Sequence, residues 1–223
     1  MAERAACVIL VFAKAPVPGE VKTRLCPPLS DRQAAELHRL LLWHTLEAAS
    51  SAALGPIELC CAPDIQNPFF DRCYTHFGVQ LKTQATGDLG VKMGSALADG
   101  LTRADRVILL GSDCPTITAE YLRQAAGALA VGHDVVLGPA EDGGYGLIGV
   151  SRLVPDIFVD IPWGTDLVMN ATLGRLRSNG QTWCELPPIW DVDRPEDLAR
   201  LAGDPRLKHL TKGVAIDRTA VHP

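Results

Sequence analysis

The stretch CVILVFAKAPVPGEVKTRL, residues 7–25, indicates an α/β fold. Val8–Val11 is a short run of β-branched and aliphatic residues, which predicts a buried strand. A loop rich in proline and glycine, Ala15–Gly19, comes shortly after it. Ligands of open parallel sheets bind beyond the carboxyl ends of the strands. The polar residues of this loop and just after it are therefore candidates for a binding site.

The same alternation of apolar runs and helical spacings continues along the chain. Ser30 and Gln33 predict a capping box at the start of the first helix. Further strands are predicted at Ile57–Cys61, Val79–Lys82, Val107–Leu110, Asp134–Leu137, Gly146–Val150 and Thr182–Leu186, and further helices at Phe69–Phe77, Val91–Leu101, Ala119–Ala130, Leu167–Leu176 and Glu196–Ala202. This alternation predicts a mostly parallel sheet covered by helices. We expect a single domain over residues 1–223, with a loosely ordered tail after about residue 204.

Composition narrows the classes of function. The 223 residues are 47% hydrophobic, and 21 Lys and Arg against 26 Asp and Glu give a net charge of −5. An acidic chain is a poor candidate for non-specific nucleic-acid binding, and no apolar run is long enough to span a membrane. Seven cysteines without a Cys-x-x-Cys pair favour core packing in a reducing compartment, so we expect a cytoplasmic protein.

The loop after the first strand is the first candidate site. Lys14, Gly19, Lys22, Thr23 and Arg24 lie within about a dozen residues. Glycine lets backbone amides approach a phosphate closely, and the cations offset diphosphate charge. The alternative is a solvated basic loop. We predict a nucleotide-binding loop that is neither a Walker loop nor a Rossmann glycine motif.

A second polar cluster follows the third predicted strand. Gln84 and Asp88 offer hydrogen-bonding groups, and Gly87 and Gly90 would let the backbone pass close to a base or ribose. The alternative is an ordinary helix start with Asp88 as its cap. We include all four residues in the predicted nucleotide site.

Two acidic segments are candidates for a divalent metal. Asp113 follows the strand Val107–Leu110, where a carboxylate could hold Mg²⁺ or Mn²⁺. Asp191 and Asp193 alternate on an extended segment and so face one side, where one of them could complete the site. The alternatives are a turn aspartate at Asp113 and an acidic helix N-terminus after Asp191.

Two later motifs could bind the second substrate. Asp142-Gly143 between apolar runs is a strong hairpin signal, and this is compatible with a site. The predicted catalytic residues are Glu141 and Asp142, and the predicted residues for the acceptor or sugar are Gly143, Gly144, Tyr145, Trp163 and Thr165. The alternatives are that Trp163 belongs to the core and that Thr165 caps a helix.

The motifs together resemble a known family. Lys14–Leu25, Gly87–Gly90, Gly111–Pro115, Glu141–Tyr145, Ile161–Trp163 and Asp191–Leu198 occur in one order and span nearly the whole chain. This order resembles small bacterial transferases with the GT-A, or nucleotide-diphospho-sugar transferase, fold, commonly described as glycosyltransferases associated with radical-SAM proteins. The resemblance implies a three-layer sandwich, with nucleotide binding at Lys14, Lys22 and Arg24 and metal binding at Asp113. Asp193 matches the position of a second metal carboxylate in related nucleotidyltransferases.

The leading hypothesis is metal-dependent transfer of a sugar from a nucleotide sugar to a small-molecule acceptor. Glu141 or Asp142 would deprotonate the acceptor if the reaction inverts. Glycosyltransferases of this fold often contain Asp-x-Asp, whereas Asp113 stands alone between Ser112 and Cys114. Nucleotidyl transfer with release of pyrophosphate is therefore the alternative, and a non-catalytic nucleotide sensor is a third. The oligomeric state stays open, a homodimer included.

The hypothesis makes a geometric prediction. Asp113 and Asp193 should border one cleft with Lys22, Gly87 and Gly143, at the carboxyl ends of the strands.

Overall fold

The structure, a computed structural model, describes residues 4–153, 155–212 and 214. The strands of the described chain form one sheet in the order β3-β2-β1-β4-β6-β5-β7. They are β1 (Val8–Lys14), β2 (Ile57–Ala62), β3 (Gln80–Thr83), β4 (Val107–Gly111), β5 (Val135–Pro139), β6 (Tyr145–Val150) and β7 (Trp183–Glu185). Only β6 runs antiparallel to its neighbours, β4 and β5, among the strands of this sheet. The mostly parallel sheet predicted from the sequence is confirmed.

Helices cover both faces of the sheet. They are α1 (Asp31–Ala52), α2 (Pro68–Phe77), α3 (Leu89–Leu101), α4 (Ala119–Ala130), α5 (Val168–Ser178) and α6 (Pro195–Gly203), with short 3₁₀ helices at Thr23–Leu25, Pro155–Phe158 and Lys208–Thr211. The predicted capping box is confirmed, since Ser30 and Gln33 bond reciprocally at the start of α1. In the part of the chain described, no helix has the length and apolar character needed to cross a membrane.

Alternation along β1 explains the three layers. Ile9 and Val11 are buried in a cluster with residues of α1, α2 and α4, whereas Val8 and Leu10 are buried with residues of α3 and α5. Successive side chains of a strand point to opposite faces, so a strand covered on both faces must be apolar throughout. This burial on both faces explains why the residues Val8–Val11 are all apolar.

The strand order places a topological switch point beside β1. The chain passes from β1 to β2 on one side, and β4 joins β1 on the other side. Crossover helices on opposite faces leave a crevice at such a point, beyond the carboxyl ends of the two strands. Strand β1 continues to Lys14, three residues beyond the predicted end, because Lys14 still pairs with Ala62 of β2. Lys14 therefore stands at the mouth of this crevice.

The segment after Asp204 differs from the prediction of a loosely ordered tail. It forms the 3₁₀ helix Lys208–Thr211, and Leu207 and Leu210 are buried. They pack in a third cluster with Leu25 and residues of α1 and α6. Leu207 and Leu210 are three residues apart, a helical spacing that the prediction of a loosely ordered tail overlooked. The predicted tail at residues 213 and 215–223 lies outside the described residues.

Candidate functional site

A cleft of about 640 Å³ opens at the switch point between β1 and β4. It is lined by Phe12, Ala13, Lys14, Glu20, Val21, Lys22, Thr23, Arg24, His38, Gln84, Leu89, Lys92, Gly111, Ser112, Asp113 and Asp193. The structure thus brings together seven of the predicted site residues: Lys14, Lys22, Thr23, Arg24, Gln84, Asp113 and Asp193. They come from four segments of the chain, at residues 14–24, 84, 113 and 193, which the fold gathers because the carboxyl ends of β1 and β4 are neighbours.

Lys22 is held in the cleft by an unusual backbone conformation. Its φ of 51° and ψ of 34° lie in the left-handed region, which is uncommon for a residue other than glycine. Its side chain is only 7% exposed, and the Nζ donates to Oδ2 of Asp113 at 3.2 Å. Such conformations persist where the surroundings enforce them, often at functional sites.

The charges of Lys22 and Asp113 stabilise one another. Burial alone lowers the pKa of Lys22, but Asp113 outweighs burial, with help from Asp193 and Asp191, so that this pKa is raised above its usual value. Burial alone raises the pKa of Asp113, but Lys22 outweighs it, so that this pKa is lowered. Both groups are therefore ionised at neutral pH, and their opposite charges attract across the 3.2 Å between Nζ and Oδ2.

A second ion pair crosses the mouth of the cleft. Arg24 donates from Nη1 to Oδ2 of Asp193 at 2.7 Å. Arg24 is 71% exposed and Asp193 is 32% exposed, so this guanidinium is open to an incoming anion. The backbone N–H groups of Asp193 and Arg194 both donate to Oδ2 of Asp197, which fixes the turn.

Two neutral side chains shape the inner wall. Gln84 donates from Nε2 to the carbonyl oxygen of Cys60 at 2.8 Å, which fixes its amide at the end of β2. His38 donates from Nε2 to the carbonyl oxygen of Lys14 at 3.0 Å. Burial lowers the pKa of His38 to about 4, so this ring is neutral at pH 7. Sequence reasoning missed His38; a histidine among the apolar positions of α1 was the available signal.

Four other predicted nucleotide-binding residues do not line the cleft. Gly19, Gly87, Asp88 and Gly90 are absent from its lining within the described chain. Asp88 is the cap of α3, because its Oδ1 accepts from the N–H of Val91 at 2.9 Å. A Cβ on Gly90 would stand 3.1 Å from the Trp163 indole. The helix-cap alternative explains Asp88, and close packing explains Gly90.

The β5–β6 hairpin holds the predicted catalytic residues outside the cleft. Glu141 accepts two hydrogen bonds from Arg200, at 2.6 and 2.8 Å, and these lower its pKa. Asp142 accepts from the N–H of Gly144 at 2.9 Å and so closes the turn. The hairpin reading of Asp142-Gly143 is confirmed, since this turn joins β5 to β6. Within the described part of the chain, Glu141 pairs with an arginine, whereas Asp142 bonds to a backbone N–H group.

The hairpin is tied to the start of α5. A Cβ on Gly143 would lie 2.4 Å from the carbonyl oxygen of Asp166, and the φ of Gly143 is 88°, so only glycine fits. Tyr145 and Trp163 pack edge to face at 6.4 Å, and burial raises the pKa of Tyr145. Thr165 donates to the carbonyl oxygen of Pro162 at 2.8 Å. Gly143, Gly144, Tyr145, Trp163 and Thr165 thus form one junction, and their roles toward an acceptor stay predictions.

Asp191 links the cleft to the hairpin. Its pKa is raised from 3.8 to about 6, first by burial and then by the charges of Asp113 and Asp142. The N–H of Val192 donates to the carbonyl oxygen of Asp113 at 3.0 Å, which brings this segment alongside the end of β4. The sequence analysis selects Asp193 rather than Asp191 as the second metal ligand. In the structure, Asp191 is close enough to Asp113 and Asp142 for their charges to raise its pKa.

Asp191 should make stability depend on pH. Between about pH 4 and 6 the folded protein retains a proton on Asp191 that the unfolded chain has released, so stability falls as pH rises through this window. We expect Asp191→Asn to raise the free energy of unfolding by about 1–2 kcal/mol at pH 8 and to change it little at pH 4. Urea unfolding in EDTA at both pH values measures this. An equal change at both would contradict the assignment.

Carboxylates of the cleft are suitable ligands for a hard divalent ion, but the described part of the chain supplies too few of them to complete its coordination. Carboxylate oxygens are the donors that Mg²⁺ and Mn²⁺ prefer, and Asp113 and Asp193 line the cleft. Within the described residues, no three His, Cys, Asp or Glu side chains are grouped so as to hold a metal. Water and a bound phosphate would have to complete the coordination.

Comparisons with known proteins support the fold. Residues 45–165 match the family model described as "Uncharacterized protein conserved in bacteria (DUF2064)". A solved structure from Desulfovibrio desulfuricans G20, described as a candidate nucleotide-diphospho-sugar transferase, is 30% identical, with a TM-score of 0.82 over 94% of this chain and 96% of that chain. The predicted nucleotide-diphospho-sugar transferase fold is thereby confirmed. The search of curated proteins finds no match.

Two more distant structures share the fold alone. CMP:2-keto-3-deoxy-manno-octonic acid synthetase complexed with CTP is 14% identical, with a TM-score of 0.57 over 88% of this chain and 96% of that one. The other structure is glucosyl-3-phosphoglycerate synthase from Mycobacterium tuberculosis, in complex with Mn²⁺, UDP and glucosyl-3-phosphoglycerate. It is 10% identical, with a TM-score of 0.53 over 96% of this chain and 78% of that one. The fold therefore serves both nucleotidyl and glycosyl transfer, so function must be argued from the site.

Proposed function

We propose that this chain, which belongs to the DUF2064 family, is a metal-dependent glycosyltransferase that moves a sugar from a nucleotide-sugar donor to a small-molecule acceptor. The observation that carries the proposal is the pairing of two cations with two carboxylates inside one cleft at the switch point. Lys22 and Arg24 are cations for a diphosphate, and Asp113 and Asp193 are carboxylates for its metal. The 30% identical relative supports donor chemistry of the nucleotide-diphospho-sugar type.

Residues of this chain would divide the work between binding and charge stabilisation. Arg24, exposed at the mouth, can form forked hydrogen bonds with phosphate oxygens, while Lys22 contributes a buried point charge. Asp113 and Asp193 would hold Mg²⁺ or Mn²⁺, which would stabilise charge on the leaving diphosphate. Lys14 and Thr23 line the same cleft and can complete the diphosphate site.

The β5–β6 hairpin is the proposed acceptor side. Asp142 is the better candidate for a general base, because Glu141 is tied to Arg200 by two hydrogen bonds. Asp142 also acts electrostatically on Asp191, whose pKa is raised by Asp113 as well, so Asp191 is influenced by charges from both the hairpin and the end of β4. A base so placed could accept the proton of an acceptor hydroxyl.

Nucleotidyl transfer with release of pyrophosphate is the second candidate. Glycosyltransferases of this fold often have two aspartates here, in an Asp-x-Asp motif. This chain has the single acid Asp113 in the corresponding segment, Gly111–Pro115. The distant synthetase that was solved with CTP has the same fold, so the fold is compatible with this reaction as well. In this reaction the same cations would bind a triphosphate.

Product analysis decides among the candidates. The protein is incubated with radiolabelled nucleotide sugars, or with nucleoside triphosphates, plus Mg²⁺ or Mn²⁺ and a small-molecule extract as acceptor source. We expect metal-dependent release of nucleoside diphosphate from one nucleotide sugar. Release of pyrophosphate would favour nucleotidyl transfer, and no turnover would favour a nucleotide sensor. A single domain, a cytoplasmic location, a homodimer and an association with radical-SAM proteins stay predictions.

A further inference from the structure

Both of the carboxylates suited to a metal are already paired with cations from one loop. Lys22 donates to Asp113, and Arg24 donates to Asp193. The two pairs differ in exposure, since the Lys22 side chain is 7% exposed and the Arg24 side chain is 71% exposed. Arg24 can swing into solvent at little cost, whereas Lys22 is confined against Asp113. The Lys22 pair is therefore the one that can control access to its carboxylate.

A divalent ion and the Lys22 ammonium would compete for Asp113. Mg²⁺ lies about 2.0–2.1 Å from its oxygen ligands. The ammonium already stands 3.2 Å from Oδ2, so a metal on this carboxylate would face a positive charge only a few ångströms away. Like charges at such a distance repel strongly in a partly enclosed site. No third acidic group within the described residues joins them to form a ready-made metal cluster.

We propose that Lys22 is a resident counter-ion of Asp113 that keeps divalent metal out of the cleft until nucleotide phosphates arrive. A diphosphate offers new acceptor oxygens to the Lys22 ammonium. Lys22 then releases Asp113, whose carboxylate becomes available to a metal held jointly with the phosphates. Metal and nucleotide thus bind cooperatively, and the coupling is reciprocal, as thermodynamic linkage requires. This inference rests on the proposed function only for the assignment of a diphosphate ligand.

The direct test measures Mn²⁺ binding to the nucleotide-free protein by the electron paramagnetic resonance signal of unbound Mn²⁺. We expect Lys22→Gln to tighten Mn²⁺ binding by about tenfold or more, since a repelling charge next to the site is removed. Lys92→Gln is the matched control, because Lys92 lines the same cleft without a hydrogen bond to Asp113 among the described contacts. It should change the affinity by less than about threefold, as expected for a more distant, screened charge.

Two results of this titration would overturn the proposal: no gain in Lys22→Gln, or an equal gain in Lys92→Gln. Adding Asp113→Asn to Lys22→Gln should abolish the gain. A gain that survives the double substitution would place the metal elsewhere and would also overturn the proposal.

A second measurement on the parent protein applies if Lys22→Gln does not fold. The ammonium resonance of Lys22, assigned by its loss in Lys22→Arg, is followed by NMR. We expect it to stay in place with Mg²⁺ alone and to shift when inorganic pyrophosphate is added with Mg²⁺. A shift with Mg²⁺ alone, or no shift with both, would overturn the proposal. Neither measurement uses turnover. A failed activity assay would therefore reject the proposed transferase activity without affecting the proposed coupling of metal and phosphate binding. A failed binding test would reject the coupling without affecting the proposed activity.

Discussion

Asparagine in place of Asp113 is expected to lower metal-dependent turnover by about two to three orders of magnitude, because charge stabilisation of the leaving group is typically worth this much. The amide loses the negative charge that a divalent ion requires. It keeps an oxygen that can accept from Lys22, so the fold should persist despite the enclosed ammonium. Calorimetric titration of nucleotide with and without Mg²⁺, alongside activity, measures the loss.

Asp105→Asn is a suitable control for this substitution. Asp105 is an exposed acid whose partner is Arg4, and it is absent from the described lining of the cleft. It should leave binding and turnover unchanged. If Asp113→Asn retains the metal-dependent nucleotide affinity of the parent, Asp113 does not belong to the site.

The second large effect is expected from Lys22→Ala. Loss of a charged hydrogen bond should weaken binding of the nucleoside diphosphate by about 1–3 kcal/mol and leave binding of the nucleoside unchanged. Asp113 is 39% exposed, so water can solvate it once Lys22 is gone. Calorimetry with both ligands separates the phosphate contribution from that of the base.

Glu20→Ala is the matched control in the same loop. Glu20 also lines the cleft, but its negative charge gives it no reason to contact a diphosphate. We expect unchanged or slightly tighter binding. Were the parent to bind nucleoside as tightly as its diphosphate, the loop would not be a phosphate site.

Local patterns predicted most of the secondary structure. The helix predicted at Ala119–Ala130 has these bounds in the structure, and the strand predicted at Val107–Leu110 extends by one residue. The capping box at Ser30 and the hairpin at Asp142-Gly143 depend on contacts within a few residues. Such features are set by the sequence next to them, which is why they can be predicted without tertiary information.

Part of the cleft was also predictable. Lys22, Arg24 and Asp113 follow buried strands, and the carboxyl ends of parallel strands meet at one edge of the sheet. The prediction that Asp113 and Asp193 border one cleft with Lys22 agrees with the structure. Gly87 and Gly143 do not line it in the described chain: Gly87 comes just before the cap of α3, and Gly143 packs against Asp166.

The remaining contacts join residues that no local pattern connects. Glu141 and Arg200 are 59 residues apart in the chain, and Lys22 and Asp113 are 91 apart. The influence of Asp113 and Asp142 on Asp191 follows from the packing of three separate segments. Sequence shows that each of these groups could ionise, but only the fold determines which charges meet.

The most direct test of the central claim, that this cleft binds a nucleoside diphosphate together with a metal, is a set of melting temperatures. The parent and Asp113→Asn proteins are heated with a nucleoside, its monophosphate and its diphosphate, each with and without Mn²⁺ and for each common base. A ligand at about a hundred times its Kd stabilises the native state by about 2.7 kcal/mol, which for a chain of this size raises the melting temperature by about 5–10 °C. We predict such a rise for one diphosphate with Mn²⁺, smaller rises for its monophosphate and nucleoside, and loss of the Mn²⁺-dependent part in Asp113→Asn. Equal rises for nucleoside and diphosphate, or a rise indifferent to Mn²⁺, would contradict the claim.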